Sequence, residues 1–144
     1  MLKGIDPLLD PDLLHTLAAM GHGDTIVIVD ANFPAAANAR QLISLPGTNA
    51  TDVARAILSV MPLDDFIDAP AAVMAVVDDP SATPPVVAEF KRIVSEAEGR
   101  PIRVESIERF DFYERARDAF AIVATGERRL YGNLMLTKGV VQPE

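Results

Sequence analysis

The chain has 144 residues, a length typical of one domain, so we expect residues 1–144 to form a single domain around one core. Its formal net charge of -8, without any basic cluster, argues against nucleic acid and against an anionic membrane surface as partners. The absence of cysteine excludes disulfides, thiolate metal ligands and cysteine nucleophiles.

The apolar content adds an expectation about assembly. Hydrophobic residues make up 49% of the chain, which hints that part of the apolar surface is covered by further copies in a homo-oligomer. The chain shows no signal peptide and no apolar run of membrane-spanning length. We therefore expect a cytoplasmic protein without a membrane partner.

In the first half of the chain, predicted helices alternate with a strand. Asp10-Pro11-Asp12 is typical of a helix start, and Gly21 of its end. The apolar face of this helix would carry Leu13, Leu14, Leu17 and Ala18. Residues 25–29 form a short apolar run that favours a strand buried on both faces, although a helix remains open for so short a run. Residues 35–39 suit a short helix or a packing surface, and residues 51–61 a helix ended by Pro62.

The second half continues the alternation. Its predicted elements are a strand at 71–77, a helix from Pro84-Pro85 to Gly99, a strand at 103–107, a helix at 113–119, and strands at 119–124 and 130–138. A polar turn at residues 125–129 separates the last two strands. This order predicts an α/β fold, with a layered single domain in which helices flank a mixed sheet.

The stretch from Met20 to Pro34 combines two features that suit a site. His22 lies between Gly21 and Gly23, so its imidazole has no bulky neighbour and the backbone can turn with positive φ. Asp30 follows directly after the predicted buried strand. A turn role for His22 and a capping role for Asp30 are the structural alternatives.

Several kinds of chemistry have little support in this sequence. Two histidines without H-x-x-x-H spacing give a weak case for a metal, and Gly-His-Gly-Asp lacks the further glycines and the lysine of a phosphate-binding loop. No serine or lysine stands with a paired base. We therefore expect polar hydrogen-bonding chemistry without a metal or cofactor.

A neutral ligand with many hydroxyl groups fits the remaining side chains. A histidine of ordinary pKa exchanges protons near neutrality, which favours His22 for proton transfer. The candidate hydroxyl binders are Asp30, Arg109, Tyr131 and Asn133. Arg109 could instead form a surface ion pair, while Tyr113 is expected in the core and His15 on the surface.

Five segments, taken in order, resemble the fucose mutarotase and ribose pyranase family. They are MGHGD at 20–24, DANFP at 30–34, RFDFYERA at 109–116, TGE at 125–127 and YGN at 131–133. The resemblance implies a cofactor-free isomerase that interconverts anomers or ring forms of a free monosaccharide. It also implies a ring-shaped homo-oligomer, typically a decamer. The segments GHGD, RFDFYERA and YGN resemble those of the fucose mutarotase branch of this family.

The resemblance also implies roles for individual residues. His22 would be the proton donor, Asp30 and Arg109 sugar binders, and Tyr131, Gly132 and Asn133 a sugar-contacting segment. Tyr131 or a bound water would then be the catalytic partner of His22. Fucose mutarotases often carry histidine at the position of Asn32 and near that of Ala36, so the preferred sugar stays open.

The spacing of His22 and Asp30 predicts where the site is built. A strand rises about 3.3 Å per residue, so these two residues of one chain should lie roughly 20 Å apart. We therefore expect His22 to join the Asp30 pocket of a neighbouring subunit, with sites at subunit interfaces. Alternatives to an L-fucose mutarotase are a non-catalytic sugar-binding accessory of a transport system and a tautomerase of another small metabolite.

Overall fold

The computed structural model describes residues 1–144 as an α/β domain with one six-stranded mixed sheet. The strands are β1 (Thr25–Val29), β2 (Leu42–Leu45), β3 (Ala71–Met74), β4 (Val104–Ile107), β5 (Ala121–Thr125) and β6 (Leu134–Thr137). Their order across the sheet is β2-β5-β1-β6-β3-β4. Only β6 runs antiparallel, and it pairs with β1 on one side and β3 on the other. The carboxyl ends of the other five strands therefore share one edge of the sheet.

Five helices cover the two faces of the sheet. They are α1 (Pro11–Ala19), α2 (Ala35–Asn38), α3 (Ala50–Leu58), α4 (Pro85–Glu98) and α5 (Arg109–Asp118). The Asp10 side chain accepts the N–H of Leu13 at the start of α1, and Gly99 ends α4 with φ of 68°. None of the five combines the length and the apolar character that crossing a bilayer requires.

The apolar core consists of two clusters, one on each face of the sheet, rather than the single core expected. Ile26 and Ile28 of β1 belong to the larger cluster, which packs under α1, α3 and α4. Val27 and Val29 belong to the smaller cluster, under α2 and α5. Because successive side chains of a strand point to opposite faces, β1 is buried on both, as its uniform apolar sequence predicts.

Some element boundaries differ from the sequence prediction. Helix α5 begins at Arg109 rather than at residue 113, because the Glu108 side chain accepts the N–H groups of Phe110 and Asp111. Strand β6 begins only at Leu134, since residues 130–133 form a turn. Strand β2 was not predicted, because Ile43 is the only buried residue in this edge strand.

Helix α1 also differs in detail. It ends at Ala19, with Met20 rather than Gly21 as its capping residue. The residues buried on its inner face are Leu13, Thr16 and Leu17, whereas Ala18 is exposed. Thr16 is polar, so the apolar pattern does not predict its burial. The hydrogen bond that its hydroxyl accepts from Gln41 makes that burial possible.

Candidate active site

A cleft of about 260 Å³ opens at the edge where the five parallel strands end. This is the edge at which α/β sheets commonly bind ligands. Six polar side chains line it, namely those of Asp30, Asn32, Arg109, Tyr113, Tyr131 and Asn133. Phe33, Met74, Val77 and Leu130 supply apolar walls. The volume lies below the roughly 300–1,000 Å³ of pockets for drug-sized molecules, so the cleft suits a small polar ligand.

Asp30 lies directly after β1 and is only 6% exposed. Its backbone N–H donates to Oδ1 of Asn133 (2.9 Å), and its own Oδ1 accepts the N–H of Asn32 (3.0 Å). Burial raises the pKa of Asp30 above its ordinary value, and hydrogen bonds from the backbone of Asn32, Phe33 and Gly132 and from Asn133 oppose that rise. Asp30 is therefore an oriented carboxyl group that can accept hydrogen bonds from hydroxyl groups.

The turn at residues 130–133 brings its polar groups into the cleft through an uncommon backbone conformation. Tyr131 has a φ of 64°, in the left-handed region that non-glycine residues seldom adopt. The backbone N–H of Val77 donates to the Tyr131 hydroxyl (3.1 Å), so that hydroxyl is fixed against the end of β3. Strain of this kind tends to collect at binding and catalytic sites.

Gly132 allows this turn to pack closely against the chain below it. A Cβ at Gly132 would come within 2.8 Å of Cγ of Glu127 and 3.5 Å of Cβ of Asp30. The carbonyl of Glu127 in turn accepts the N–H of Ala31 (2.8 Å). The absence of a side chain at Gly132 therefore allows the turn to approach Glu127 and Asp30, and the backbone of Gly132 donates a hydrogen bond to Asp30. Neither role requires that Gly132 contact a ligand.

An ion-pair network anchors the turn from below. The guanidinium of Arg129 donates to Glu127 (2.7 Å), to Glu89 of α4 (2.9 Å) and to Thr51 of α3 (3.2 Å). Burial opposes ionisation of Glu127, but the hydrogen bonds and charge of Arg129 outweigh it and hold the pKa of Glu127 below its ordinary value. The segment between β5 and β6 is thus attached to two helices.

Arg109 and Tyr113 form the opposite wall, one turn apart on α5. The Nε of Arg109 donates to the Tyr113 hydroxyl (3.1 Å), and the Arg109 guanidinium carbon lies 5.4 Å from the centre of the Tyr113 ring. Tyr113 packs against the smaller apolar cluster, edge-on to Phe33 at 5.2 Å, as expected of a core aromatic, but it is only partly buried and also lines the cleft. Arg109 forms no ion pair, so the surface ion-pair interpretation is wrong.

His22 lies at the opposite edge of the sheet, before β1, and does not line the cleft. Its side chain is 45% exposed, and Nε2 is 2.9 Å from Oδ1 of Asp64. The ring also contacts Phe66, with 4.9 Å between the ring centres. The φ of Gly23 is 87°, as the positive-φ turn requires. Within a single chain, His22 is therefore far from the other predicted site residues.

Sequence reasoning missed Asp64 altogether. The residue is 2% exposed and follows Pro62-Leu63, in a segment whose two adjacent aspartates look like an ordinary surface loop. Its burial depends on the antiparallel bridge between Leu63 and Lys138, a contact between distant parts of the chain. No local pattern could have marked it.

Comparison with known proteins agrees with the resemblance that the motifs carry. Residues 3–141 match the RbsD / FucU transport protein family. The chain belongs to this family. Within the RbsD / FucU family, the fucose mutarotase of Homo sapiens is 46% identical over 97% of this chain and 94% of its own length.

Solved structures of RbsD / FucU proteins share the fold. The fucose mutarotase of Streptococcus pneumoniae in complex with L-fucose superposes with a TM-score of 0.92 at 42% identity, covering 98% of this chain and 100% of that one. RbsD of Bacillus subtilis in complex with D-ribose gives a TM-score of 0.77 at 25% identity, covering 99% and 100%. The chain is therefore more similar to the fucose mutarotases, which agrees with its GHGD and YGN segments.

Proposed function

We propose that this protein is a monosaccharide mutarotase, an isomerase that interconverts the α and β anomers of a free sugar without a cofactor. L-Fucose is the proposed substrate. The observation that carries the proposal is the cleft with Asp30, Arg109, Tyr131 and Asn133 on its walls, because carboxylate, guanidinium, phenol and amide groups together bind a ligand with several hydroxyl groups. The similarity to fucose mutarotases, one of them solved with L-fucose, supports the choice of sugar.

The proposed reaction needs only two proton transfers. His22 donates a proton to the ring oxygen as the bond between that oxygen and the anomeric carbon breaks. Tyr131, or a water bound to it, takes the proton of the anomeric hydroxyl as it releases its own proton to solvent, and the carbonyl forms. Rotation about the next carbon–carbon bond presents the other carbonyl face, and the reverse transfers close the ring. Asp30, Arg109 and Asn133 hold the sugar hydroxyls meanwhile.

We infer that each site combines two subunits of a ring-shaped homo-oligomer, with a decamer as the proposed size. His22 and the cleft lie at opposite edges of the sheet, so a contact between two copies is needed to join them, and we propose a head-to-tail contact whose rotation closes into a ring. Exposed apolar side chains at both edges support this contact. Phe66 is 70% exposed beside His22, and Leu130 and Phe110 are 65% and 66% exposed around the cleft.

Saturation-transfer NMR on an equilibrium mixture of L-fucose anomers tests the activity. We expect exchange between the α and β signals well above the buffer rate, and its loss in His22→Ala. His15→Ala is the matched control, because His15 is the only other histidine and is exposed on α1. Sugar binding without added exchange would contradict the proposal and favour a non-catalytic binding protein.

A panel of L-fucose, D-ribose and galactose tests the substrate. Asn32 lines the cleft, whereas Ala36 is exposed on α2 in the single chain. We expect the highest kcat/KM for L-fucose. Faster exchange of D-ribose would overturn the choice of sugar and leave the reaction type in place.

A further inference from the structure

A buried carboxylate holds the exposed imidazole of His22. Oδ1 of Asp64 lies 2.9 Å from Nε2 of His22 and also accepts the N–H of Phe66 (3.1 Å). The backbone N–H of Asp64 donates to the carbonyl of Thr137 (3.0 Å), which ties the residue to the end of β6. The side chain of Asp64 is 3% exposed and that of His22 is 45% exposed. The carboxylate is therefore fixed by the fold, while the ring projects outward.

The charge of Asp64 determines which nitrogen of His22 carries a proton. Burial opposes ionisation of Asp64, but hydrogen bonds from His22 and Phe66 and the charge of His22 outweigh burial, so the pKa of Asp64 lies below its ordinary value. An ionised carboxylate only accepts hydrogen bonds, so Nε2 must be the donor. The other nitrogen, Nδ1, has no hydrogen-bond partner within the chain.

No other charged group near this turn takes part in the contact. The Asp24 carboxylate accepts the N–H of Gly21 (2.7 Å), and the Lys138 ammonium donates to the carbonyls of Leu17 and Met20. Asp65 is exposed. Asp64 is thus the only carboxylate that is hydrogen-bonded to His22.

We propose that Asp64 is a positioning residue that keeps the proton of neutral His22 on Nε2, so that Nδ1 is the atom that exchanges a proton with the sugar. This inference deepens the proposed function and rests on it. The tilted contact with Phe66 supports the same ring orientation from a second side. Aspartate fulfils this role towards histidine in other enzymes that use histidine for proton transfer.

The proton transfer balances with Nδ1 as donor. The Nδ1–H bond of the imidazolium breaks and an O–H bond forms on the ring oxygen, which keeps the electron pair of the broken bond to the anomeric carbon. The anomeric hydroxyl loses its proton to Tyr131 or a water bound to it, that group releases a proton to solvent in turn, and the electron pair of the broken O–H bond completes the carbonyl. Asp64 stays ionised throughout and stabilises the imidazolium before the transfer.

Nitrogen-15 NMR of the histidine side chains tests the proton position without reference to activity. At alkaline pH we expect the wild-type His22 signals to show a protonated Nε2 and an unprotonated Nδ1. In Asp64→Asn this preference should be lost, because the asparagine amide can donate to Nε2 as well as accept from it. Asp65→Asn is the matched control, since it removes the adjacent exposed charge and should leave the signals unchanged.

Kinetics on the same variants test the catalytic consequence. Asp64→Asn should lower kcat for anomer exchange at least about 10- to 100-fold, by analogy with the loss when the hydrogen-bond partner of a metal-bound histidine is removed. KM should change less than about twofold, because Asp64 lies outside the cleft. Thermal unfolding of each variant verifies that it is folded, and Asp65→Asn should match the wild type.

Two results would overturn the inference. One is a wild-type His22 with its neutral proton on Nδ1, and the other is a folded Asp64→Asn with wild-type kcat. Failure of the proposed function has a different signature, which is the absence of anomer exchange in the wild type. In that case the proposed proton transfer to the sugar is wrong, and the nitrogen-15 signals alone decide whether Asp64 controls the tautomer of His22.

Discussion

The cleft contains a carboxyl group that the fold makes difficult to ionise. Asp30 follows a strand buried on both faces, and its carboxyl group is nearly enclosed. Its pKa lies above the ordinary 3.8 because burial outweighs the hydrogen bonds that it receives. Sugar hydroxyls donate to the ionised form, so ligand binding and the ionisation of Asp30 are linked.

This linkage predicts how sugar binding depends on pH. As the pH falls through the raised pKa of Asp30, the carboxyl group becomes protonated and loses acceptor capacity, so KM should rise at a higher pH than an ordinary aspartate would give. In Asp30→Asn we expect KM to be about tenfold higher near neutrality, consistent with losing a hydrogen bond to a charged group. The acid rise in KM should also disappear. Anomer exchange measured against sugar concentration at several pH values gives both quantities, and a KM of Asp30→Asn that still follows the wild-type pH profile would contradict the assignment.

Local sequence patterns predict most helices and the buried strands, because the features that form these elements lie within the elements themselves. Strand β1 is uniformly apolar and β-branched, and α4 has a proline start and a glycine end. The turn at residues 130–133 lies inside a segment that the sequence predicts as strand, because its conformation depends on distant contacts, namely the N–H of Val77 on the Tyr131 hydroxyl and Glu127 beneath Gly132. Strand β2 has too few buried residues to show a strand period.

The same distinction applies to the candidate site. The sequence predicts four polar residues of the cleft because they belong to motifs with a family resemblance. The sheet topology explains why these four, Asp30, Arg109, Tyr131 and Asn133, lie close together. Tyr113 packs partly in the core, as an aromatic residue on a helix commonly does, and its second role in the cleft could not be predicted from that pattern. Asp64 was missed because only the fold buries it. Sequence patterns thus predict which residues contact a ligand better than they predict the residues that hold them in position.

At the scale of elements, the segment between β5 and β6 depends on one charge pair, in which Glu127 is buried and Arg129 is partly exposed. The Arg129→Met variant would leave the buried Glu127 carboxylate without its cation, and we expect the free energy of unfolding to fall by about 2 kcal/mol. This is less than the ~3–5 kcal/mol for breaking fully buried pairs, because the Arg129 side chain is 42% exposed and solvent screens its charge. Arg128→Met is the control, since Arg128 is exposed and forms no ion pair.

The pH dependence of this effect has a defined sign. The pKa of Glu127 is lowered in the folded protein, so its contribution to stability is present at neutral pH and is lost as the pH falls through that lowered value. The difference between wild type and Arg129→Met should therefore narrow on acidification below about pH 4.5, the ordinary value for this group. Urea unfolding at several pH values measures it, and a difference that is constant with pH would show that lost packing, not charge, is responsible.

At the scale of the whole molecule, the two halves of the proposed site face away from each other. His22 and Asp64 lie before β1 and the cleft lies after it, so the strand itself keeps them apart. A subunit with a damaged histidine still has an intact cleft, and one with a damaged cleft still has an intact histidine. Their sites can complement each other only across a subunit interface.

This arrangement predicts recovery of activity on mixing two impaired variants, measured at sugar concentrations well below KM, where Asp30→Asn is about tenfold less active than wild type. Co-expression of His22→Ala with Asp30→Asn should restore about one quarter of wild-type exchange, because random assembly pairs an intact cleft with an intact histidine at one site in about four. Each variant alone, assembled to the same particle size, is the control. Recovery no greater than the sum of the two variants would show that each site lies within one chain.

Strand β6 is the last in the chain and yet lies between β1 and β3, where it joins two otherwise separate parallel groups of strands. During synthesis β3 and β4 can pair first, β1 and β2 have no partner until β5 emerges, and the facing edges of β1 and β3 stay open until residues 134–137 have emerged. Formation of the native topology has to wait for residues 134–137, and during that interval the unpaired backbone of β1 and β3 is exposed to intermolecular pairing.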